Sequence, residues 1–437
     1  MIANAAFVIS AAPRRYWWPF VGLVVAAGLL QLALFGYVTA LGLAGTGDSR
    51  YYLHAAQTLR ATGFLLNPDG TPYRYCPPLY PMLLRAMGSL AGIRVLHGAC
   101  LLGSLLLWSW LGRQLLPPRR ALVVPVLLAL STPWLLVSKF VWAENVFLLL
   151  FGAYAVALWQ WLRTGRWSWW AAATAVGLLL PLQRTLGLFL LAGVGVLLLS
   201  AWQRLSSLRR GQLLLHLVVS GTGGVLWQWY ALLVAGPSRY HPSRGWSQLL
   251  SSGADYGFVV GRWLLPVPTT GRVLLPDVLW AAVLVGLFAL LWPRKQTEQP
   301  VNEPNSAVSI TVAVTSAVPM NGTEPDNRLL LQTLWGASLT LVVLVAGLTV
   351  FAQSAASIHD AERYASVLFA PVVVLVLAAW PASRSRWLGR ALLAIWLLGA
   401  AVRVGHVALD LRRVTPLTTA SFPGPAHDRQ RVGATDK

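Results

Sequence analysis

An isolated acidic residue, Asp48, follows the first long apolar run of the chain and begins a polar segment that continues to Pro81. A carboxylate held at a membrane face can accept a proton from a hydroxyl group as that hydroxyl attacks an electrophile. Asp48 also precedes a stretch with helical character, Ser49 to Arg60, and aspartate is a favoured N-cap residue that interacts well with the helix dipole. Its type and position therefore predict a general base, a helix cap, or both.

Three further charged residues occur at the ends of apolar runs or in the same segment as Asp48. Glu144 opens an apolar run, Arg184 lies in a short turn between two others, and Arg74 comes shortly before a Pro-Pro pair. Arginine forms charge-assisted, bidentate hydrogen bonds with phosphate. The helix dipole explains Glu144 equally well, and Arg184 could simply extend from a helix end towards water. The sequence indicates an anion-binding site, with these structural roles as the alternative.

A cluster of charged residues lies late in the chain, where the sequence reads HDAERY at 359–364. It brings together an imidazole, His359, a guanidinium, Arg363, and a phenol, Tyr364. A solvated helix start explains the acidic residues of this run, but it does not explain Arg363. We predict that Arg363 binds phosphate and that His359 and Tyr364 contact the same substrate.

The composition of the chain is that of a membrane protein. Of its 437 residues, 56% are apolar and only 11% are charged, outside the range of ordinary soluble domains. The formal net charge of +20 comes mainly from arginines dispersed between apolar runs. That pattern argues against nucleic acid as a partner and favours anchoring to the lipid bilayer. Two cysteines, Cys76 and Cys100, lie at different expected depths and predict no disulfide framework.

The predicted fold class is an all-α polytopic membrane protein with about eleven transmembrane helices and a helical first extracytoplasmic loop. The apolar runs lie at residues 20–44, 95–111, 121–137, 145–162, 169–182, 186–202, 213–235, 278–292, 329–352, 365–380 and 391–402. Basic residues occur in every loop of one parity, whereas the short loops of the other parity hold only Lys139 and Arg184. The positive-inside rule therefore predicts a cytoplasmic N-terminus and an extracytoplasmic Asp48. An odd number of spans also places the C-terminal tail outside.

This topology divides the chain into four regions. Residues 1–292 form an N-terminal transmembrane region whose long outer loops are 45–94 and 236–277. Residues 293–328, rich in Pro, Asn, Ser and Thr, predict a flexible cytoplasmic linker. Residues 329–407 hold the C-terminal transmembrane helices, and 408–437 form a polar tail. In the first outer loop the stripe Tyr52, Ala56, Leu59 and Gly63 predicts a helix along the membrane surface.

The order of these motifs resembles the GT-C membrane glycosyltransferases. After the first apolar run the chain reads GDSRYYLHAAQTLRATG at 47–63, and before the second it reads PPLYP at 77–81. The sequence is similar to the bacterial protein-mannosyltransferase-like branch (family 39), the aminoarabinose transferases and the Rgt-like transferases. The runs WAENVF at 142–147, LQRTLG at 182–187 and ERY at 362–364 resemble further elements of that family. The resemblance extends over most of residues 20–380.

This resemblance implies a reaction and a donor. In that family an aspartate of the first outer loop is the catalytic carboxylate, and the donor is a polyprenyl-phosphate sugar. Asp48 is then the general base, and the arginines neutralise the phosphate leaving group. The substrate-binding residues are then Arg74, Glu144, Arg184, His359, Arg363 and Tyr364. We expect sugar transfer to an envelope lipid, glycan or protein at the outer face of the cell (inner) membrane.

Two positions depart from the family pattern. Cys76 stands before the Pro-Pro pair, where aminoarabinose transferases commonly carry a lysine, so that a lysine contact with the donor phosphate is missing. Arg74 is the nearest substitute. Ser49 follows Asp48 directly, where an acidic partner is common. The first-loop motif therefore does not support a two-carboxylate metal site, and the need for a divalent metal is left open.

Two other functions are alternatives at this point. An O-antigen ligase or polymerase would place its chemistry in the loop 236–277, on Arg239, His241 and Arg244. A transporter or flippase of lipid-linked sugars would place ionisable residues or broken helices near the middle of the bilayer. The charged residues of this chain concentrate at the ends of its apolar runs, which disfavours transport.

Overall fold

The computed structural model describes residues 16–74, 76–235, 247–264, 275–291, 324–351, 358–380 and 386–418. These residues form helices and turns, with two isolated β-bridges. The helices are α1 (Trp17–Val38), α2 (Gly47–Thr62), α3 (Leu79–Met87), α4 (Leu90–Leu115), α5 (Pro118–Ala121), α6 (Val123–Ala129), α7 (Thr132–Lys139), α8 (Glu144–Thr164), α9 (Trp167–Gln183), α10 (Leu186–Ser200), α11 (Ser207–Ala235), α12 (Ser247–Leu264), α13 (Asp277–Leu290), α14 (Glu324–Phe351), α15 (Ile358–Ala365), α16 (Phe369–Ala379) and α17 (Arg386–Arg413).

Eight segments within the described residues are long and apolar enough to cross a membrane. They are Trp17–Val38, Leu90–Leu115, Pro118–Lys139, Glu144–Thr164, Ser207–Val234, Asn327–Leu344, Ala361–Ala379 and Trp387–Arg413. Leu186–Val196 and Asp277–Leu290 are shorter apolar helices. The all-α membrane fold is confirmed, and each predicted apolar run overlaps a helix. The number of crossings, about eleven, stays a prediction.

Helix α8 and the segment Ala361–Ala379 are the two most enclosed of the eight apolar segments. In the apolar window of α8, 83% of the residues are buried inside the protein, against 28% in α1, where Leu29 points outward. Phe151 on α8 packs edge-on against Trp108 of α4, with ring centroids 5.3 Å apart. The Tyr154 hydroxyl lies 2.9 Å from His216 Nε2 of α11. Because α8 is enclosed by protein, the residue at its start, Glu144, is held in a rigid frame.

Basic side chains lie at both ends of the bundle. At the end where α1 begins, the Arg113 guanidinium lies 4.0 Å from the Trp17 ring centroid, and Arg120 donates a hydrogen bond to the Leu377 carbonyl at 3.0 Å. At the other end, Lys139 Nζ donates to the Val38 carbonyl at 2.9 Å. Which end faces the cytoplasm stays a prediction.

Helices α2 and α3 of the first outer loop lie across this second end of the bundle. Two residues of the predicted stripe, Tyr52 and Ala56, are buried, whereas Gly63 is the exposed left-handed C-cap of α2, with φ of 80°. Tyr52 packs edge-on against Tyr80 of α3, at 5.0 Å between ring centroids. The Tyr80 hydroxyl lies 2.9 Å from His97 Nε2 of α4. This buried chain of contacts joins the outer loop to a membrane helix.

Several helices extend into regions where loops were expected. Helix α14 begins at Glu324, inside the predicted linker 293–328, whose other residues up to 323 lie outside the described part of the chain. Helix α12 lies inside the predicted outer loop 236–277. Helix α17 continues to Arg413, inside the predicted tail, where Arg412 packs over Tyr37 at 4.4 Å. The division into four regions stays a prediction.

Candidate functional site

Four of the predicted site residues meet at one point on the end of the bundle that carries α2 and α3. Arg363 Nη1 lies 2.6 Å from Asp48 Oδ2, although 315 positions separate the two residues in the chain. Arg363 Nε also donates to Glu144 Oε1, and Arg184 contacts the same Glu144 oxygen. The cluster therefore joins α2, the start of α8, the turn between α9 and α10, and α15.

The backbone that carries Asp48 is held by its neighbours. Thr46 precedes the helix and forms a capping box with Ser49, whose hydroxyl accepts from the Thr46 N–H at 2.9 Å. The buried Ser49 hydroxyl also donates to the Val141 carbonyl at 3.0 Å, and Trp142 Nε1 donates to Thr46 Oγ1 at 2.8 Å. Asp48 is not the N-cap, so the prediction that it caps α2 is wrong, but it lies in the first turn, where the helix dipole favours an acidic residue. Its carboxylate faces Arg363.

Aromatic rings enclose the two guanidinium groups. The Arg363 Cζ atom lies 4.3 Å from the Trp142 ring centroid, a distance that favours a cation–π interaction. The Tyr364 ring centroid lies 5.3 Å from Arg184 Cζ and 5.7 Å from Arg363 Cζ. Tyr364 is thus at the predicted site, whereas Trp142 was not predicted. Its place two residues before the acidic start of an apolar run was the signal in the sequence.

Burial assigns different roles to the two carboxylates. The Glu144 side chain is fully buried, and the side chains of Arg184 and Arg363 are 11% and 5% exposed. The Asp48 side chain is 45% exposed. A buried carboxylate shared by two arginines holds them in fixed orientations, because either arginine alone in this interior would be strongly destabilising. Asp48 is the acidic group of the cluster that an external molecule can reach.

Polar side chains of the first outer loop lie beside this cluster. Burial raises the pKa of the Cys76 thiol, and the charge of Asp48 adds to the rise, whereas a hydrogen bond with Tyr52 opposes it. Burial likewise raises the pKa of the Tyr73 hydroxyl, with contributions from Cys76 and Asp48. Cys76 is therefore electrostatically coupled to Asp48, and it is a neutral group where aminoarabinose transferases commonly carry a lysine.

Arg74 lies in the same loop, near an exposed acid. Asp69 accepts hydrogen bonds from the Thr71 N–H at 3.0 Å and the Thr71 hydroxyl at 2.6 Å, and these hold its pKa below the ordinary value. The charge of Arg74 makes a smaller contribution in the same direction. The half-buried Arg74 is thus electrostatically linked to Asp69. Its role towards a donor phosphate stays a prediction.

A second buried ion pair lies next to the cluster and was missed by sequence reasoning. Arg262 of α12 contacts Glu362, the residue directly before Arg363 on α15. The side chains are only 6% and 10% exposed. Arg403 of α17 interacts electrostatically with both. Because Glu362 and Arg363 are consecutive on a helix, this pair restricts the rotation of α15 and helps to direct Arg363 towards Asp48.

Four other predicted residues, or their side chains, lie outside the described part of the structure. His359 belongs to α15, but its side chain is outside the described part of the structure. Arg239, His241 and Arg244, the centre of the ligase alternative, also lie outside the described residues. Among the described residues there is no group of three or more His, Cys, Asp or Glu side chains placed to hold a metal ion.

No protein-family model and no curated protein matches this sequence. The fold is similar to that of ArnT from Cupriavidus metallidurans, seen in crystal structures of its apo state and its complex with undecaprenyl phosphate. Both comparisons have a TM-score of 0.55 and cover 90% of this chain and 76% of ArnT. The sequence identities are 13% for the complex and 12% for the apo state. At this identity the similarity shows the fold, and the chain has the GT-C fold that its motifs predict.

Proposed function

We propose that this chain is a membrane glycosyltransferase that moves a sugar from a polyprenyl-phosphate donor to an acceptor of the cell envelope at the extracytoplasmic face. The observation that carries the proposal is the convergence of Asp48, Glu144, Arg184 and Arg363 at one end of the bundle. This set contains an accessible carboxylate and two arginines, which is the chemistry that attack on a phosphate-linked sugar requires.

In this reaction the acceptor hydroxyl attacks the anomeric carbon of the donor sugar. Asp48 takes the hydroxyl proton as the new carbon–oxygen bond forms. The bond between the anomeric carbon and the phosphate oxygen breaks, and its electron pair stays on the phosphate. Arg184 and Arg363 neutralise the resulting charge, so that the lipid phosphate leaves without taking up a proton. Attack from the face opposite the phosphate inverts the configuration of the sugar.

The contact between Asp48 and Arg363 adds a condition to this mechanism. While Arg363 holds the carboxylate at 2.6 Å, that oxygen is engaged by a cation and competes poorly for a hydroxyl proton. A donor phosphate that binds Arg363 competes with Asp48 for the same guanidinium. Donor binding would therefore release the Asp48 oxygen for the acceptor. The base becomes available when the leaving group is in place.

Glu144 has a different role in the proposal. It contacts both arginines and is fully buried, so it cannot reach an acceptor. Its charge keeps Arg184 and Arg363 together despite their mutual repulsion. The undecaprenyl phosphate bound in the ArnT crystal structure supports the same class of donor for this chain.

The test compares two charge-removing variants of the first outer loop in proteoliposomes. Asp48→Asn should reduce sugar transfer from a lipid-linked donor at least a hundredfold, the scale of general-base catalysis. Asp69→Asn is the matched control, because Asp69 is exposed in the same loop and should retain normal transfer. Full transfer by a correctly inserted Asp48→Asn protein would refute the assignment of the base.

The donor site has a separate test. Arg363→Ala should weaken use of the donor more than use of the acceptor, because the guanidinium binds the phosphate. The KM values for the two substrates, measured with the same radiolabelled donor, separate these effects. Equal changes in both would indicate a structural role for Arg363.

A further inference from the structure

The end of the chain's last described helix returns to the loop that carries Asp48. Residues 415–418, here called the C-terminal strap, follow α17. The Leu417 N–H donates a hydrogen bond of 2.7 Å to the Leu43 carbonyl. The Leu417 side chain packs against the hydrophobic cluster that contains Leu43, Tyr52 and Tyr80. The strap therefore contacts the backbone before Asp48 and packs against the cluster to which the buried face of α2 belongs.

The same stretch of backbone is held on another side by the turn before α8. The Ala44 N–H donates to the Lys139 carbonyl at 2.8 Å, and the Val141 N–H donates to the Ala44 carbonyl at 3.0 Å. Residues 43 and 44 thus lie between the strap and the segment that leads to Glu144. Four residues later the chain reaches Asp48. The backbone that leads to Asp48 is therefore held on two sides, by the strap and by the turn before α8.

Gly45 is the residue at which the strap comes closest. A Cβ atom at this position would lie 2.6 Å from Leu417 Cδ2 and 3.0 Å from Leu417 Cγ, too close for normal packing. Three residues earlier, a Cβ atom at Gly42 would lie 3.2 Å from Pro416 Cβ. Gly45 is therefore needed for close approach of the Leu417 side chain.

We infer that Leu417 is a positioning residue for Asp48, so that the C-terminal strap sets the placement of the base relative to Arg363. The inference rests on the proposed function. Asp48 must leave Arg363 and meet an acceptor hydroxyl at hydrogen-bond distance, and a displacement of about 1 Å in such a geometry can cost about a hundredfold in rate. The arginines and Glu144 belong to other segments and keep their contacts when the strap is loosened.

The experiment uses the full chain with substitutions on both sides of this contact. Leu417→Ala should lower kcat about tenfold and leave the KM for the lipid-linked donor within about twofold. Leu417→Met, which preserves volume, should restore most of the rate. Thr415→Ala is the control, because Thr415 is an exposed strap residue. Normal kcat in Leu417→Ala, or an equal loss in Thr415→Ala, would overturn the inference.

Gly45 allows a test of the contact itself. Gly45→Ala should reduce kcat by pushing Leu417 away, and the double variant Gly45→Ala with Leu417→Ala should be more active than Gly45→Ala alone. Such compensation is expected only of residues in direct contact. Additive losses in the double variant would contradict it.

Amide hydrogen exchange of residues 43–52 provides a readout that does not depend on catalysis. Leu417→Ala should accelerate exchange at least threefold in this stretch and leave the start of α8 unchanged. If the unaltered chain transfers no sugar from any lipid-linked donor, the proposed function fails and the exchange result still decides whether the strap holds the Asp48 loop. Unchanged exchange in Leu417→Ala overturns the inference whatever the activity.

Discussion

Replacing Glu144 by glutamine tests the electrostatic design of the site, because it removes the shared counter-ion of two buried arginines at nearly constant volume. Two unit charges 4 Å apart interact by about 4 kcal/mol at an effective dielectric constant of 20. Breaking a buried ion pair typically costs about 3–5 kcal/mol. Asp48 remains as a counter-ion, but it is half-exposed, and of the two arginines it contacts only Arg363. We expect Glu144→Gln to destabilise the folded protein by about 3–5 kcal/mol.

The same substitution should strengthen the binding of undecaprenyl phosphate. Without Glu144 the two arginines carry an uncompensated positive charge, and an anionic headgroup gains attraction from it. After screening, one additional unit charge corresponds to about 1.4 kcal/mol, or about tenfold in affinity. Since a ligand that binds only the folded state stabilises it by mass action, undecaprenyl phosphate should raise the unfolding midpoint of Glu144→Gln more than that of the unaltered protein.

Thermal unfolding in detergent, with and without undecaprenyl phosphate, measures both effects in one assay. Asp69→Asn removes the same charge from an exposed position of the first outer loop and should change neither the midpoint nor the ligand-induced shift. The reasoning is refuted if Glu144→Gln is as stable as the unaltered protein. It is also refuted if Glu144→Gln is destabilised but shows a smaller shift with undecaprenyl phosphate than the unaltered protein.

Three further predictions address neighbouring groups. Arg184→Ala should weaken undecaprenyl phosphate binding about tenfold in a titration. Arg184→Lys should recover only part of the lost affinity, because an ammonium group lacks the planar fork of arginine. Normal binding by both variants would exclude Arg184 from the donor site. The pKa of Cys76 is raised, so its alkylation by a maleimide should reach half its maximal rate at a pH above the ~8.5 of a free thiol. Mass spectrometry follows the reaction, and buried Cys100 should not react in the folded protein. A midpoint at or below the free-thiol value would contradict this prediction. Glu362→Gln removes the carboxylate that pairs with buried Arg262 and should destabilise the protein by about 3–5 kcal/mol. The loss should appear as a lower unfolding midpoint. An unchanged midpoint would show that the pair is not stabilising.

The sequence alone predicted the apolar helices, whereas α12 lies in a segment that was expected to be a loop. Apolar runs of the required length must satisfy their backbone hydrogen bonds internally in lipid, so they form helices, and every predicted run overlaps one. The first outer loop was correctly predicted to be helical because its apolar residues follow a helical period. Asp48, Glu144, Arg184 and Arg363 were singled out because a charge next to an apolar run is unusual, and the structure brings these four together, while their roles stay predictions.

Tertiary structure alone decided which of these residues act together. The contacts of Arg363 with Glu144 and Asp48 join positions 219 and 315 residues apart, and no local period encodes such a pairing. Thr46, not Asp48, caps α2, because Ser49 completes the capping box while Asp48 turns towards a guanidinium from α15. The close approach of Leu417 to the Asp48 loop likewise depends on where a distant helix ends. Local composition determines which segments become helices, and the packing of those helices determines which charges become partners.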